Sequence, residues 1–235
     1  MTAARVFYFL FFICAVADVY FILSNFSELR YFTKPVLMPL LMLAYFFESR
    51  PVSHFGRLLL AGLFFSWLGD VFLMFEYLNQ VYFILGLVCF LTTHILYIRY
   101  FTNIHSQQVS FFKKRPVMFI AVAAYSAELV YLMWPGLGAL KIPVIIYASI
   151  ISIMLVCALW LYQKISDRIS LLFILGAFLF VASDSMLAVD KFRHSFQYAG
   201  VLIMITYVLA QYLITKGSVR HVLSMREVST ELAAV

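Results

Sequence analysis

Two aspartates lie inside the most apolar stretches of the chain, at matching positions. Asp70 sits in Gly62-Leu-Phe-Phe-Ser-Trp-Leu-Gly-Asp70, and Asp184 in Gly176-Ala-Phe-Leu-Phe-Val-Ala-Ser-Asp184. Further on come Gly86 and Gly200, and one offset relates all three pairs: 184 − 70, 176 − 62 and 200 − 86 are each 114. A carboxylate at mid-membrane depth costs about 2.5–3.5 kcal/mol on insertion scales, so a repeated one points to a functional site; the other reading is an acid that only binds a neighbouring helix's backbone or hydroxyl. Paired carboxyls suit general acid–base chemistry, in which a protonated member donates while an ionised one holds water or steadies a cation. Asp18 and Glu128 fall about five residues from the ends of their own apolar runs and are expected in the same depth band. Four carboxylates in a low-dielectric space repel one another. At least one is therefore expected to keep its proton at neutral pH.

The other polar side chains inside apolar runs are few. His94 is accompanied by Ser66, Thr93, Ser183, Ser185, Thr206, Tyr207 and Gln211. His94 is the one histidine in such a run, so a histidine metal cage has no second ligand of that kind. It either makes a core hydrogen bond or lines a pocket, and both readings stay open. Asp18 and Glu128 suit snorkelling or helix pairing as well as chemistry. Lys34 pairs with one of them or with a lipid phosphate. No Gly-x-Ser-x-Gly elbow, phosphate loop or dinucleotide fingerprint occurs. No metal and no cofactor are expected.

Positioning these groups falls to membrane-spanning helices. Of 235 residues 65% are hydrophobic and 12% charged, and the mean hydropathy is +0.98, which excludes a soluble domain. The fold class is all-α: eight apolar runs of about 20 residues, near 5–23, 34–48, 57–75, 80–100, 116–133, 142–162, 169–188 and 196–215. The second begins at Lys34-Pro35, where proline suits a first helical turn. Trp134-Pro-Gly-Leu-Gly138 reads as a turn. A signal peptide with Ala15-Val-Ala17 as its cleavage site is the alternative for the first run, which however continues to Leu23.

With four runs per half, about 1–101 and 116–215, the halves read as parallel repeats within one membrane domain. Asp70 and Asp184 would then face each other across the central axis. Residues 216–235 read as a polar, frayed helical tail. Cys14, Cys89 and Cys157 have no disulfide or zinc spacing.

The net charge of +6 is spread over short loops, which favours membrane topology over nucleic-acid binding. One side of the membrane would hold Arg5, Arg50, Arg57, Arg99, Lys113, Lys114, Arg115, Lys164, Arg168, Lys216, Arg220 and Arg226. The other holds Arg30, Lys34, Lys141, Lys191 and Arg193. The twelve-to-five bias places both termini in the cytoplasm, in a bacterial inner membrane or an endoplasmic reticulum. The oligomeric state stays open.

The blocks Gly62-Leu-Phe-Phe-Ser66, Gly69-Asp70 and Thr93-His94 with Tyr97 resemble the YhhN family, whose characterised mammalian members are transmembrane lysoplasmalogenases. So do Gly176, Ser183-Asp184, Leu187-Ala188, Lys191-Phe192, Thr206-Tyr207 and Ala210-Gln211, in the same order; Asp190 departs from the pattern, standing where a neutral amide is expected. The resemblance runs from Lys34-Pro35 to about residue 215. It implies hydrolysis of the vinyl ether of lysoplasmenyl-ethanolamine or -choline to a fatty aldehyde and a glycerophospho-base. Asp70 and Asp184 would be catalytic. Lys34, His94, Tyr97, Ser183, Tyr207, Gln211, Asp18 and Glu128 would line the lysophospholipid site, among membrane lipids. A proton-coupled transporter of a lipid or small amphiphile is the reading from another class, and a lipid-binding scaffold without turnover a third.

Overall fold

The computed structural model describes residues 3–104 and 117–233; Lys113, Lys114 and Arg115 lie outside the described residues. Among the described residues every regular element is helical. The order is α1 (Ala3–Leu23), α2 (Arg30–Glu48), α3 (His54–Met74), α4 (Gln80–Thr102), α5 (Val117–Met133), α6 (Lys141–Leu159), α7 (Asp167–Phe192) and α8 (Ala199–Ala233). All but α2 are long and apolar enough to cross a membrane, α5 when counted on through the turn to Gly136. The chain is an integral, multi-pass membrane protein.

Helix α2 is less apolar because it carries Arg30, Lys34 and Glu48, yet Leu37, Met38, Leu41, Ala44 and Tyr45 on it are fully buried. It starts four residues before the expected Lys34, which puts Pro35 and Pro39 inside it. Proline lacks an N–H, so Pro39 leaves the carbonyl four residues earlier without its helical donor. That carbonyl, of Pro35, accepts from Trp67 Nε1 of α3 at 2.9 Å instead. A neighbouring helix thus makes the interior proline tolerable.

The starts of α3 and α4 are capped by side chains, Ser53 accepting from Gly56 N at 3.0 Å and Asn79 from Val81 N at 2.9 Å. Close approach comes from glycine. A methyl group on Gly86 of α4 would meet Leu73 and lie 3.4 Å from the Gly69 carbonyl of α3, and one on Gly176 of α7 would lie 3.1 Å from the Ala210 carbonyl of α8. Small residues at such crossings let backbones touch, the main attraction available between helices in lipid.

The last helix differs from expectation. Instead of fraying after residue 215, α8 runs on to Ala233 and stays docked. Ser218 and Val219 are fully buried, Lys216 binds Glu48 at 2.7 Å, and Arg226 donates to the carbonyls of Ser49, Arg50 and Pro51. Those carbonyls follow the end of α2 and need donors, which explains why a polar helix stays put. At the opposite end, Lys191 of α7 meets Glu76 after α3 at 3.0 Å. The Trp134–Gly138 segment forms short 3-10 turns with Gly138 at φ +50°, a left-handed conformation that suits glycine.

Candidate active site

Helix α3 carries Asp70 and α7 carries Asp184, and the two meet different partners. The Asp70 carboxyl, 2% exposed, has Lys34 Nζ of α2 at 3.5 Å from Oδ1 and accepts from Tyr207 Oη of α8 at 2.7 Å on Oδ2. Asp184 accepts at Oδ2 from Tyr147 Oη of α6 at 2.5 Å, and His94 Nε2 of α4 lies 3.1 Å from the same oxygen. His94 Nε2 is also 3.0 Å from Tyr147 Oη.

The wiring of the two clusters is equivalent. Each aspartate binds one side chain from the second helix of its own half and one from the fourth helix of the other half. The partners are related in number as well: 147 − 34 and 207 − 94 are both 113, one short of the aspartate offset. Lysine in one cluster thus stands where tyrosine stands in the other.

The protonation pattern of the second cluster follows from its geometry. Tyr147 has one proton and gives it to Asp184. His94 is fully buried and its Nδ1 has no hydrogen-bond partner among the described residues. A bare buried lone pair costs less than an orphaned N–H, so we assign the proton to Nε2, where it points at Asp184. Both donors converge on Oδ2. Asp184 Oδ1 carries no hydrogen bond among the described residues, and the side chain is 13% exposed.

That exposure is to a narrow, mostly apolar cavity of about 60 Å³ between α4, α5, α6 and α7. Leu87, Leu129, Val144, Tyr147 and Val181 line it together with Asp184. Asp70 is not part of its wall. Between the two carboxyls runs a chain of rings: Tyr207, bound to Asp70, packs edge-on against Phe180 at 5.7 Å between centroids, and Phe180 packs edge-on against His94 at 4.7 Å. The expected face-to-face pair is thus two separately held carboxyls, and Asp184 is the one that opens on a cavity.

The remaining candidates divide the same way. Tyr97 donates to Gln211 Oε1 at 2.7 Å, Gln211 donates to Ser66 at 2.8 Å, and Ser66 reaches Thr93 at 3.1 Å, a buried polar chain tying α3, α4 and α8. Ser183 donates to the Ile203 carbonyl at 3.0 Å, joining α7 to α8. Asp18 is held by Arg30 at 3.2 Å and Thr33 at 2.8 Å, so Lys34 pairs with neither carboxylate expected for it but with Asp70. Glu128 is exposed on α5. Tyr147 is the member that the sequence reading missed; its spacing of 113 from Lys34 is the one signal that singles it out.

These features define a class: a polytopic helical membrane protein with a carboxyl, an imidazole and a phenol converging beside an apolar cavity in its helix bundle. The YhhN family model matches residues 29–218, and the chain belongs to the YhhN family. It is 33% identical over 171 residues to the protein named lysoplasmalogenase TMEM86A of Bos taurus, covering 67% of this chain and 63% of that one. A protein named lysoplasmalogenase from Mycobacterium tuberculosis is 30% identical over 171 residues, covering 72% of this chain and 63% of its own length. The human TMEM86A lysoplasmalogenase is 31% identical, with 67% and 63% covered. The chain thus spans 63% of the length of these curated relatives. No solved structure matches it.

Proposed function

We propose that this protein is a membrane-embedded hydrolase that cleaves the vinyl ether of lysoplasmalogens, releasing a fatty aldehyde and a glycerophospho-base. The observation that carries the reading is Asp184, held at Oδ2 by His94 and Tyr147 and lining an apolar cavity. The names of the relatives support the same reaction.

Vinyl ethers hydrolyse by protonation at carbon. In its acid form Asp184 gives its proton to the alkenyl carbon distal to the ether oxygen, and the π electrons form the new C–H bond. The remaining carbon and the ether oxygen then share the positive charge as an oxocarbenium ion. The Asp184 carboxylate left behind sits against that cation, while the donors from His94 and Tyr147 hold Oδ2. Water adds to the oxocarbenium carbon and returns a proton to Asp184. The resulting hemiacetal collapses to the aldehyde and the glycerol hydroxyl. Asp184 ends as it began.

Asp70 takes a different part in this reading. Paired with Lys34, it anchors Tyr207, whose ring backs Phe180 and through it His94. It is a positioning residue for the second cluster. The duplicated halves, about 1–101 and 116–215, supply the common scaffold. Both termini are assigned to the cytoplasm, which puts the Lys191–Glu76 pair at the opposite surface, where a headgroup would rest.

The test is aldehyde release from a lysoplasmenyl-ethanolamine by the full chain, purified in detergent. Release in the absence of any proton gradient supports a hydrolase. Binding without release, or transport in vesicles that depends on a gradient, would replace it with a carrier.

A further inference from the structure

The cavity at Asp184 is too small for its proposed substrate. Drug-sized ligands occupy pockets of about 300–1,000 Å³, and this cavity holds about 60 Å³. Room of the needed size lies beside it. A groove of about 740 Å³ runs between α5 and α6, lined by Phe119, Val122, Val130, Ile145, Ile153 and Val156 among others. Ser126 and Ala148 belong to both walls, so the groove and the cavity meet at one seam.

Helix α5 is the loosest element of the bundle. Met133 is its one buried residue, whereas α6 buries Val144, Ile151, Met154, Leu155, Ala158 and Leu159. What holds α5 at the seam is polar and local. Ser126 Oγ and Ser152 Oγ are 2.5 Å apart, Ser152 also donates to the Ala148 carbonyl, and Tyr125 donates to Ser185 of α7 at 2.9 Å. In a membrane the groove opens onto hydrocarbon, because Ile145 and Ile153 on its wall are 42% and 46% exposed on helices that cross the bilayer. Its neighbours there are lipid chains.

We propose that the α5–α6 groove is the chain subsite of a one-chain lipid, and that the Ser126–Ser152 seam is the gate through which its head end reaches Asp184. The hydrocarbon chain lies in the groove while the atoms next to the glycerol pass the seam into the cavity. The division explains why the cavity is small: it needs to hold the reacting atoms alone. A single unbranched chain fits one groove with one seam. The chemical role of the gate rests on the hydrolase reading; occupation of the groove does not.

The experiment uses a saturated, ether-linked lysophosphatidylethanolamine that carries a diazirine in mid-chain and cannot be hydrolysed. The purified full chain is photolabelled in nanodiscs and the adducts are mapped by mass spectrometry, with and without unlabelled lysolipid. Adducts competed by lysolipid are expected on Val122, Val130, Ile145 and Ile153. Equal labelling at Phe9 and Val16, exposed on α1 far along the chain, without competition, would overturn the subsite.

The gate is tested in the same protein by Ser126→Cys with Ser152→Cys. Oxidation is expected to cut turnover at least tenfold and reductant to restore it, while reductant leaves the unsubstituted chain, with Cys14, Cys89 and Cys157, unchanged. Reversibility separates gating from misfolding. Full turnover with the disulfide formed would overturn the gate and leave the hydrolase standing. Confined, competed labelling with no aldehyde from any variant would retain the subsite and remove the hydrolase.

Discussion

The two aspartate clusters are built to one plan and end in different states. In the amino-terminal half, α1 lies along α2 and buries Phe11, Ala15 and Asp18, and the α2 partner of Asp70 is a lysine. In the other half, α5 buries Met133 alone, and the α6 partner of Asp184 is a tyrosine. A cation satisfies a buried carboxylate and fixes its charge; a phenol offers a hydrogen bond and leaves the proton free to move. A tightly packed outer helix seals the first cluster, and a loosely packed one leaves space beside the second. On the proposed function, equivalent acids are thus divided between holding the bundle and doing chemistry.

Breaking the comparison at its strongest point means Asp184→Asn. The amide keeps the size but cannot supply the proton, and loss of a positioned general acid costs about 10²–10⁴-fold in turnover. The melting temperature of the purified variant is expected to stay near that of the unsubstituted chain.

Asp70→Asn should act in the opposite sense, on stability first. It leaves Lys34, whose side chain is 14% exposed, without its counter-charge. Breaking such a pair from one side costs about 3–5 kcal/mol, because the remaining charge stays buried. Thermal unfolding checks this, and Lys34→Met in the same chain should recover most of the loss.

The two tyrosines sharpen the contrast at smaller cost. Tyr147→Phe removes a donor from the Asp184 carboxyl, and a hydrogen bond to a charged group is worth about 1.5–3 kcal/mol. A fall in kcat of about tenfold or more is expected, with little change in unfolding. Tyr207→Phe makes the matching deletion beside Asp70 and should lower stability more than kcat. Smallest of all is Glu128→Gln. That side chain is exposed on α5, and both activity and stability are expected within about 0.5 kcal/mol of the starting protein.

Most of the fold is legible in the sequence because apolar length and polar interruption decide it. Among the described residues the eight runs are eight helices, and the boundaries that differ do so for local reasons. Helix α2 extends back to Arg30 because Asp18 receives that guanidinium and Trp67 satisfies the carbonyl freed at Pro35. Helix α8 persists past residue 215 because Arg226 and Lys216 find partners at the end of α2. Partners of that kind come from elsewhere in the chain, and no window of sequence contains them.

The site was half legible. Charge in an apolar run is rare, so Asp70 and Asp184 stood out at once. Tyr147 did not, since the chain has 15 tyrosines and most apolar runs hold one. Nor did the partners of Asp18 and Asp70, because Arg30 and Lys34 are one helical turn apart and either could reach either acid. Packing assigns each to its own.

The most direct test compares aldehyde release by Asp184→Asn and Asp70→Asn, both purified in detergent and normalised to folded protein. Expected is release lowered by about 100-fold or more from the first at an unchanged unfolding temperature, and a smaller loss from the second at a lowered one. Substantial release from Asp184→Asn, or complete loss in Asp70→Asn with its stability intact, would contradict the assignment of the proton to Asp184.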